Sequence, residues 1–118
     1  MTTMLKRIGM CVLLVVMEWP ASGSEVLTAR VSPSWGMAPT DVVIHAFIEP
    51  DARNRALLFV VDSTGFYSSS LVELPGDRAP RAKDVKFRML PAGLYEVRVT
   101  LLGSEGERRR VSSWVQLW

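Results

Sequence analysis

A chain of 118 residues with 14 basic and 12 acidic side chains carries a formal charge of +2, and 48% of it is hydrophobic. That length supports one core and not two, and so even a charge balance excludes the broad basic surface that nucleic-acid binding uses. The single cysteine, Cys11, excludes a disulfide framework and a cysteine-ligated metal.

The first element in chain order is a leader. Lys6 and Arg7 precede the apolar run at residues 8–17 (IGMCVLLVVM), and the small residues Ala21-Ser22-Gly23-Ser24 follow Pro20. Basic, apolar and small segments in that order read as a secretory signal peptide. Glu18 stops the apolar run well short of the roughly 20 residues a membrane-spanning helix needs. Residues 1–23 are therefore expected to leave on export, and residues 24–118 to fold as one domain in the periplasm or outside the cell. No membrane span is expected after cleavage. The other reading keeps the run as an N-terminal anchor with Trp19 at the membrane interface. Cys11 lies inside the run and not just past it, where a lipid-modified cysteine would sit, so the processed chain has no thiol. Loss of Lys6, Arg7 and Glu18 also lowers the net charge by one unit.

From there on, period two recurs and no long segment carries a 3.6-residue apolar period, which favours strands throughout. Leu27, Ala29 and Val31 make a first strand, ended by Ser32-Pro33-Ser34. Residues 42–48 (VVIHAFI) and 56–61 (ALLFVV) are apolar on both faces, as strands in the middle of a packed structure are; a polar turn at residues 49–54 separates them. Asp62-Ser63-Thr64-Gly65 is a hairpin turn into a strand at residues 66–74, closed by a loop at residues 75–80. Next, Val85, Phe87 and Met89 are expected on the core face, with Lys86 and Arg88 on the other. Pro91, which cannot donate a ladder hydrogen bond, and Gly93, which can adopt positive φ, turn the chain. Tyr95, Val97, Val99 and Leu101 then alternate with Glu96, Arg98 and Thr100, the pattern of a strand packed on one side and wet on the other. Residues 103–106 (GSEG) form a hairpin, and Val111, Ser113, Val115 and Leu117 return. Seven strands with closely spaced turns predict an all-β fold, a single antiparallel sandwich.

The segment Leu90-Pro91-Ala92-Gly93-Leu94-Tyr95-Glu96-Val97-Arg98-Val99 resembles the L-x-x-G-x-Y-x-V-x-V signature of the penultimate strand in fibronectin type III and other immunoglobulin-like domains. The resemblance implies an immunoglobulin-like β-sandwich with structural roles for Gly93, Tyr95, Val97 and Val99. Tyr95 would form the tyrosine corner, its hydroxyl bonding to backbone a few residues upstream. Val97 would stand where disulfide-bonded members carry their second cysteine, and the chain departs from that pattern because no cysteine is there. The same stretch is similar to transthyretin-like and carboxypeptidase-regulatory-like sandwiches, which differ in strand order.

Chemistry-bearing residues are sparse. His45 is the only histidine and shares a strand face with Val43 and Phe47, which suits a structural residue better than a base; a small hydrolase using it is the least favoured reading. Ser68-Ser69-Ser70 lies mid-strand, whereas an activated serine sits on a strained turn. Zinc needs at least three ligands, and only His45 offers nitrogen. Glu49, Asp51 and Asp62 could approach one another and hold calcium, but their spacing matches no calcium loop. Trp35, Phe66, Tyr67, Trp114 and Trp118 are the one binding signal, with core or packing use favoured over a ligand platform for Trp114. Arg108-Arg109-Arg110 reads as a charged strand edge. The expectation is thus an exported, non-catalytic binding or interaction module that is not an enzyme, with no cofactor, no metal site and no nucleic-acid partner. A protein or glycan is the expected ligand. The alternative is a structural cell-envelope subunit that self-associates through an exposed strand edge.

Overall fold

The structure, a computed structural model, describes residues 26–118. The signal peptide expected over residues 1–23 lies outside the described residues. Eight strands follow in order: β1 (Leu27–Ser32), β2 (Trp35–Gly36), β3 (Thr40–Ile48), β4 (Asn54–Ser63), β5 (Phe66–Glu73), β6 (Ala82–Leu90), β7 (Gly93–Gly103) and β8 (Gly106–Leu117). The only helical turn among the described residues is the short 3-10 segment Gly76–Arg78. No helix among them is long and apolar enough to cross a membrane.

The strands form two sheets, β1-β3-β6 and β2-β8-β7-β4-β5. All pairs are antiparallel except β2 with β8, a two-residue parallel contact of Trp35 with Gln116 and Gly36 with Leu117. The two runs apolar on both faces, in β3 and β4, occupy interior positions of their sheets, where a strand has neighbours on both sides. The inner faces meet in one core. Leu27, Val42, Ile44, Ala46, Ile48, Phe87 and Leu90 face Leu57, Phe59, Val61, Tyr95, Val97, Val99, Leu101, Val115 and Leu117, and Leu74 packs against them. On β7 alone, burying Tyr95, Val97, Val99 and Leu101 contributes very roughly 6–12 kcal/mol before chain entropy is set against it.

Turn chemistry sets the joins. Thr64-Gly65 connects β4 to β5 with Ser63 facing Phe66, and Ser104-Glu105 connects β7 to β8 with Gly103 facing Gly106. Gly93 opens β7 at φ +155°, and a Cβ there would stand 2.9 Å from the Ser63 hydroxyl oxygen, so glycine meets both a backbone and a space requirement.

Two details depart from the sequence reading. β2 was not foreseen, because two residues carry no period. Met89 is exposed instead of facing the core. Between the pairs Thr40–Leu90 and Val42–Phe87 the register shifts, giving β6 one extra residue. Met89 adopts φ 54°, and its N–H is taken by the Asp41 carboxylate at 2.8 Å. The bulge swings Met89 outward and delivers Leu90 to the core in its place.

Candidate binding face

The outer face of the five-stranded sheet is where the chain sets large aromatic side chains in water. Period two leaves Leu94, Glu96, Arg98 and Thr100 of β7 pointing away from the core, and the register lines up cross-strand rows on that face. Trp114, Glu96, Asp62 and Tyr67 form one row, from β8 through β7 and β4 to β5. The next row is Ser112, Arg98, Val60 and Ser69, and the third is Arg110, Thr100, Leu58 and Leu71. Trp114 is 58% exposed and Tyr67 60%; Trp35, Leu94 and Leu71 are exposed as well.

Arg98 organises the middle. Its guanidinium donates to Glu96 Oε1 at 2.9 Å and to Asp62 Oδ2 at 3.5 Å. Two carboxylates share one cation, so the cluster keeps a net negative charge between two aromatic rings. The residues are partly exposed, so the pairs contribute little to stability and mainly hold the groups in place. At the end of the row, Trp114, Glu96 and Asp62 join residues 63–65 and 92–94 around an open cleft of about 560 Å³. Indole faces stack on apolar surfaces, the C–H faces of sugars among them. The carboxylates accept hydrogen bonds from hydroxyl, ammonium or guanidinium groups, and charged acceptors bind the more strongly.

The opposite end of the sandwich is a closed network. Asn54 is 1% exposed; it donates to the Glu49 carbonyl at 3.1 Å and accepts from Arg108 Nη1. Asp51 receives the Arg53 backbone N–H at 2.8 Å and the Arg53 guanidinium at 2.8 and 3.0 Å, with Arg108 at 3.4 Å. The side-chain bonds from Arg53, aided by its backbone N–H, hold the Asp51 carboxyl well below the usual carboxylate range and raise the Arg53 guanidinium in turn. A cleft of about 370 Å³ borders this network, lined by Arg53 and residues 103–108.

The other residues singled out in the sequence fall as follows. Val97 and Val99 are buried in the core on β7. Tyr95 is buried too and donates its hydroxyl to the Pro91 carbonyl at 2.6 Å, while Phe66 meets its ring edge-on at 6.0 Å. Burial raises the Tyr95 phenol above its ordinary pKa. His45 lies on the outer face of the three-stranded sheet, 3.0 Å from Asp84 across the β3–β6 pair. Asp51 precedes β4 and Asp62 lies near its end, so the carboxylates considered for calcium stand at opposite ends of the sandwich. Ser68 to Ser70 lie mid-strand on β5. Trp114, for which core or packing use was favoured, is on the outside. The reason is that β8 lies on one layer of a two-layer sandwich, so only one of its faces has a sheet to pack against. The Asp62–Arg98–Glu96 cluster was missed. Glu96 and Arg98 show in the alternation of β7, but nothing local in the sequence announces that Asp62 is registered beside them.

No protein-family model matches the chain, and no curated protein matches it. Solved structures do. Superoxide reductase (neelaredoxin) from Ignicoccus hospitalis aligns with a TM-score of 0.59 at 8% identity, covering 80% of this chain and 81% of that one. The soluble domain of PmoD from Methylocystis sp. aligns with a TM-score of 0.55 at 12% identity, covering 81% and 94%. A family 76 glycoside hydrolase from a bovine Bacteroides thetaiotaomicron strain aligns with a TM-score of 0.56 at 12% identity over 75% of this chain, which spans only 19% of the hydrolase chain. At these identities the likeness is one of fold alone. It corrects one expectation. The chain was read as not an enzyme because its sandwich shows no familiar catalytic constellation, yet a superoxide reductase is built on a similar scaffold of similar length. A sandwich of this kind therefore does not exclude catalysis.

Proposed function

We propose that the chain is an exported binding or interaction module of immunoglobulin-like fold, engaging a protein or glycan partner through the outer face of its five-stranded sheet. The observation that carries this reading is the row Trp114–Glu96–Asp62–Tyr67. Two aromatic side chains more than half exposed flank two carboxylates on a rigid sheet. Aromatic residues are enriched at the energetic centres of interfaces, and loops and faces held by a scaffold bind without large ordering costs.

The immunoglobulin-like assignment is supported by the division of strands. β1, β3 and β6 stand on one sheet and β4, β7 and β8 on the other, as strands A, B and E part from C, F and G in such sandwiches. The bond from Tyr95 to the Pro91 carbonyl, four residues upstream, is of the kind a tyrosine corner makes. Export is supported by the basic, apolar and small segments of the first 24 residues.

In this reading the Trp114 indole supplies a stacking surface, Asp62 and Glu96 accept donors from the partner, and Arg98 fixes both carboxylates and offsets one of their charges. Wild-type and Trp114→Ala protein titrated against a glycan panel, and used to capture partners from cell-envelope extract, test it. A ligand held by the wild type and lost by the variant is the expected result; equal retention by both refutes the face. Mass spectrometry of the exported protein should place its N-terminus near residue 24.

A further inference from the structure

The sandwich has four strand edges with no neighbour along most of their length among the described residues, and three of them are guarded against pairing. β6 carries Lys83, Asp84, Lys86 and Arg88 and a bulge. β8, beyond its short contact with β2, carries Glu107, Arg109 and Arg110, with a register break opposite Leu101 and Leu102. β1 is short, carries Arg30 and stops at Ser32, just before Pro33. Charges, prolines and bulges are the devices that keep edges from pairing. β5 has a charge only at its last residue, Glu73: residues 65–72 (GFYSSSLV) contain no charge and no proline, and the β4–β5 register runs unbroken from Ala56–Glu73 to Ser63–Phe66.

The direction of the free amides on β5 follows from its ladder. The Leu74 N–H donates to the Arg55 carbonyl at 2.8 Å, in the same register that sets Ala56 opposite Glu73. Antiparallel ladders alternate, so even-numbered residues of β5 spend their N–H and C=O on β4, and Tyr67, Ser69 and Leu71 turn theirs to the open edge.

We propose that this edge pairs with the β5 edge of a second copy of the chain, antiparallel, about a two-fold axis through Ser69. The segment is self-complementary in that register. Tyr67 meets Leu71 of the other copy on the outer face, Phe66 meets Val72 on the inner face, Ser68 meets Ser70, and Ser69 meets itself. Apolar residues meet apolar ones, hydroxyls meet hydroxyls, and the two Glu73 side chains lie far apart, each opposite Gly65. The pairs Tyr67–Leu71, Ser69–Ser69 and Leu71–Tyr67 are the hydrogen-bonded ones, using the amides that β4 leaves free. The two five-stranded sheets join into one, and the outer faces lie on the same side. The proposal shares Tyr67 with the binding reading but is tested apart from it, because Ser69 lies on the β5 edge and Trp114 lies across the sheet on β8.

Sedimentation of the processed protein over a range of concentrations tests it. The wild type should be dimeric at the upper end. Ser69→Lys, which sets two ammonium groups against each other on the axis, should be monomeric, and so should Ser69→Pro. Both should melt as the wild-type monomer does, because the Ser69 N–H belongs to no ladder in one copy. An equimolar mixture of Ser69→Lys and Ser69→Glu chains should restore a dimer. A wild type that stays monomeric, variants that associate as the wild type does, or a mixture that stays monomeric while the wild type dimerises would each overturn the proposal.

Discussion

At the scale of single residues, two side chains hold the ends of the sandwich by opposite means. Tyr95 is a neutral donor inside the core, 2.6 Å from the Pro91 carbonyl. Tyr95→Phe keeps the ring contact with Phe66 and removes only the hydroxyl, so it should lower stability by about 1 kcal/mol, read as a lower urea midpoint with an unchanged slope. An unchanged midpoint would mean that the bond contributes nothing. Asp51 is a charged acceptor at the surface, and its folded-state pKa is lowered by Arg53. A group lowered in this way contributes stability that is present above the ordinary carboxyl pKa, about 3.9, and is lost as pH falls from there toward the folded value. Asp51→Asn keeps an oxygen for the Arg53 backbone N–H and discards the charge. Its melting temperature should fall below that of the wild type by a constant margin at pH 7 and pH 5, and the margin should close below about pH 4. A margin independent of pH would locate the effect in packing and not in charge.

Strands are the scale at which the sequence was most readable. β7 shows its period because the sheet it belongs to has one face on a core and one in water, and Tyr95, Val97, Val99 and Leu101 are all buried. Val97→Asp should therefore abolish cooperative folding, since an unpaired carboxylate in that position has no partner and no water; native-like melting of the soluble variant would contradict the burial. β3 and β4 were legible as interior strands because both of their faces are apolar. Two things were hidden. The bulge that turns Met89 outward depends on Asp41 accepting its N–H from another strand, and β2 depends wholly on its pairing with β8. Both are tertiary facts with no local period. The face taken by Trp114 was hidden for the same reason, because alternation tells which residues share a side and not which side meets the second sheet. The candidate row is less legible still: Asp62 and Glu96 are 34 residues apart in sequence and become neighbours only through the β4–β7 register.

For the whole molecule, the division between a buried aromatic set and an exposed one has a spectroscopic consequence. Phe59, Phe87 and Tyr95 fill the core, whereas the described tryptophans are all on the surface: Trp35 is 70% exposed, Trp114 58% and Trp118 65%. The fourth, Trp19, lies in the segment expected to leave with the signal. Tryptophan emission from the processed, folded protein should therefore resemble that of a solvated indole and be quenched readily by acrylamide. Unfolding should barely shift it, although circular dichroism reports a cooperative transition over the same denaturant range. Occupation of the outer face desolvates Trp114, so binding should move the emission to shorter wavelength and protect part of it from quencher, and Trp114→Ala should remove that response while leaving the unfolding transition within about 0.5 kcal/mol of wild type. Pairing along β5 leaves Trp114 in water, since β7 and β4 stand between them, so association alone should not change the emission. A native spectrum already blue-shifted and shielded from quencher would show the tryptophans buried, and would remove the face from which the binding proposal starts.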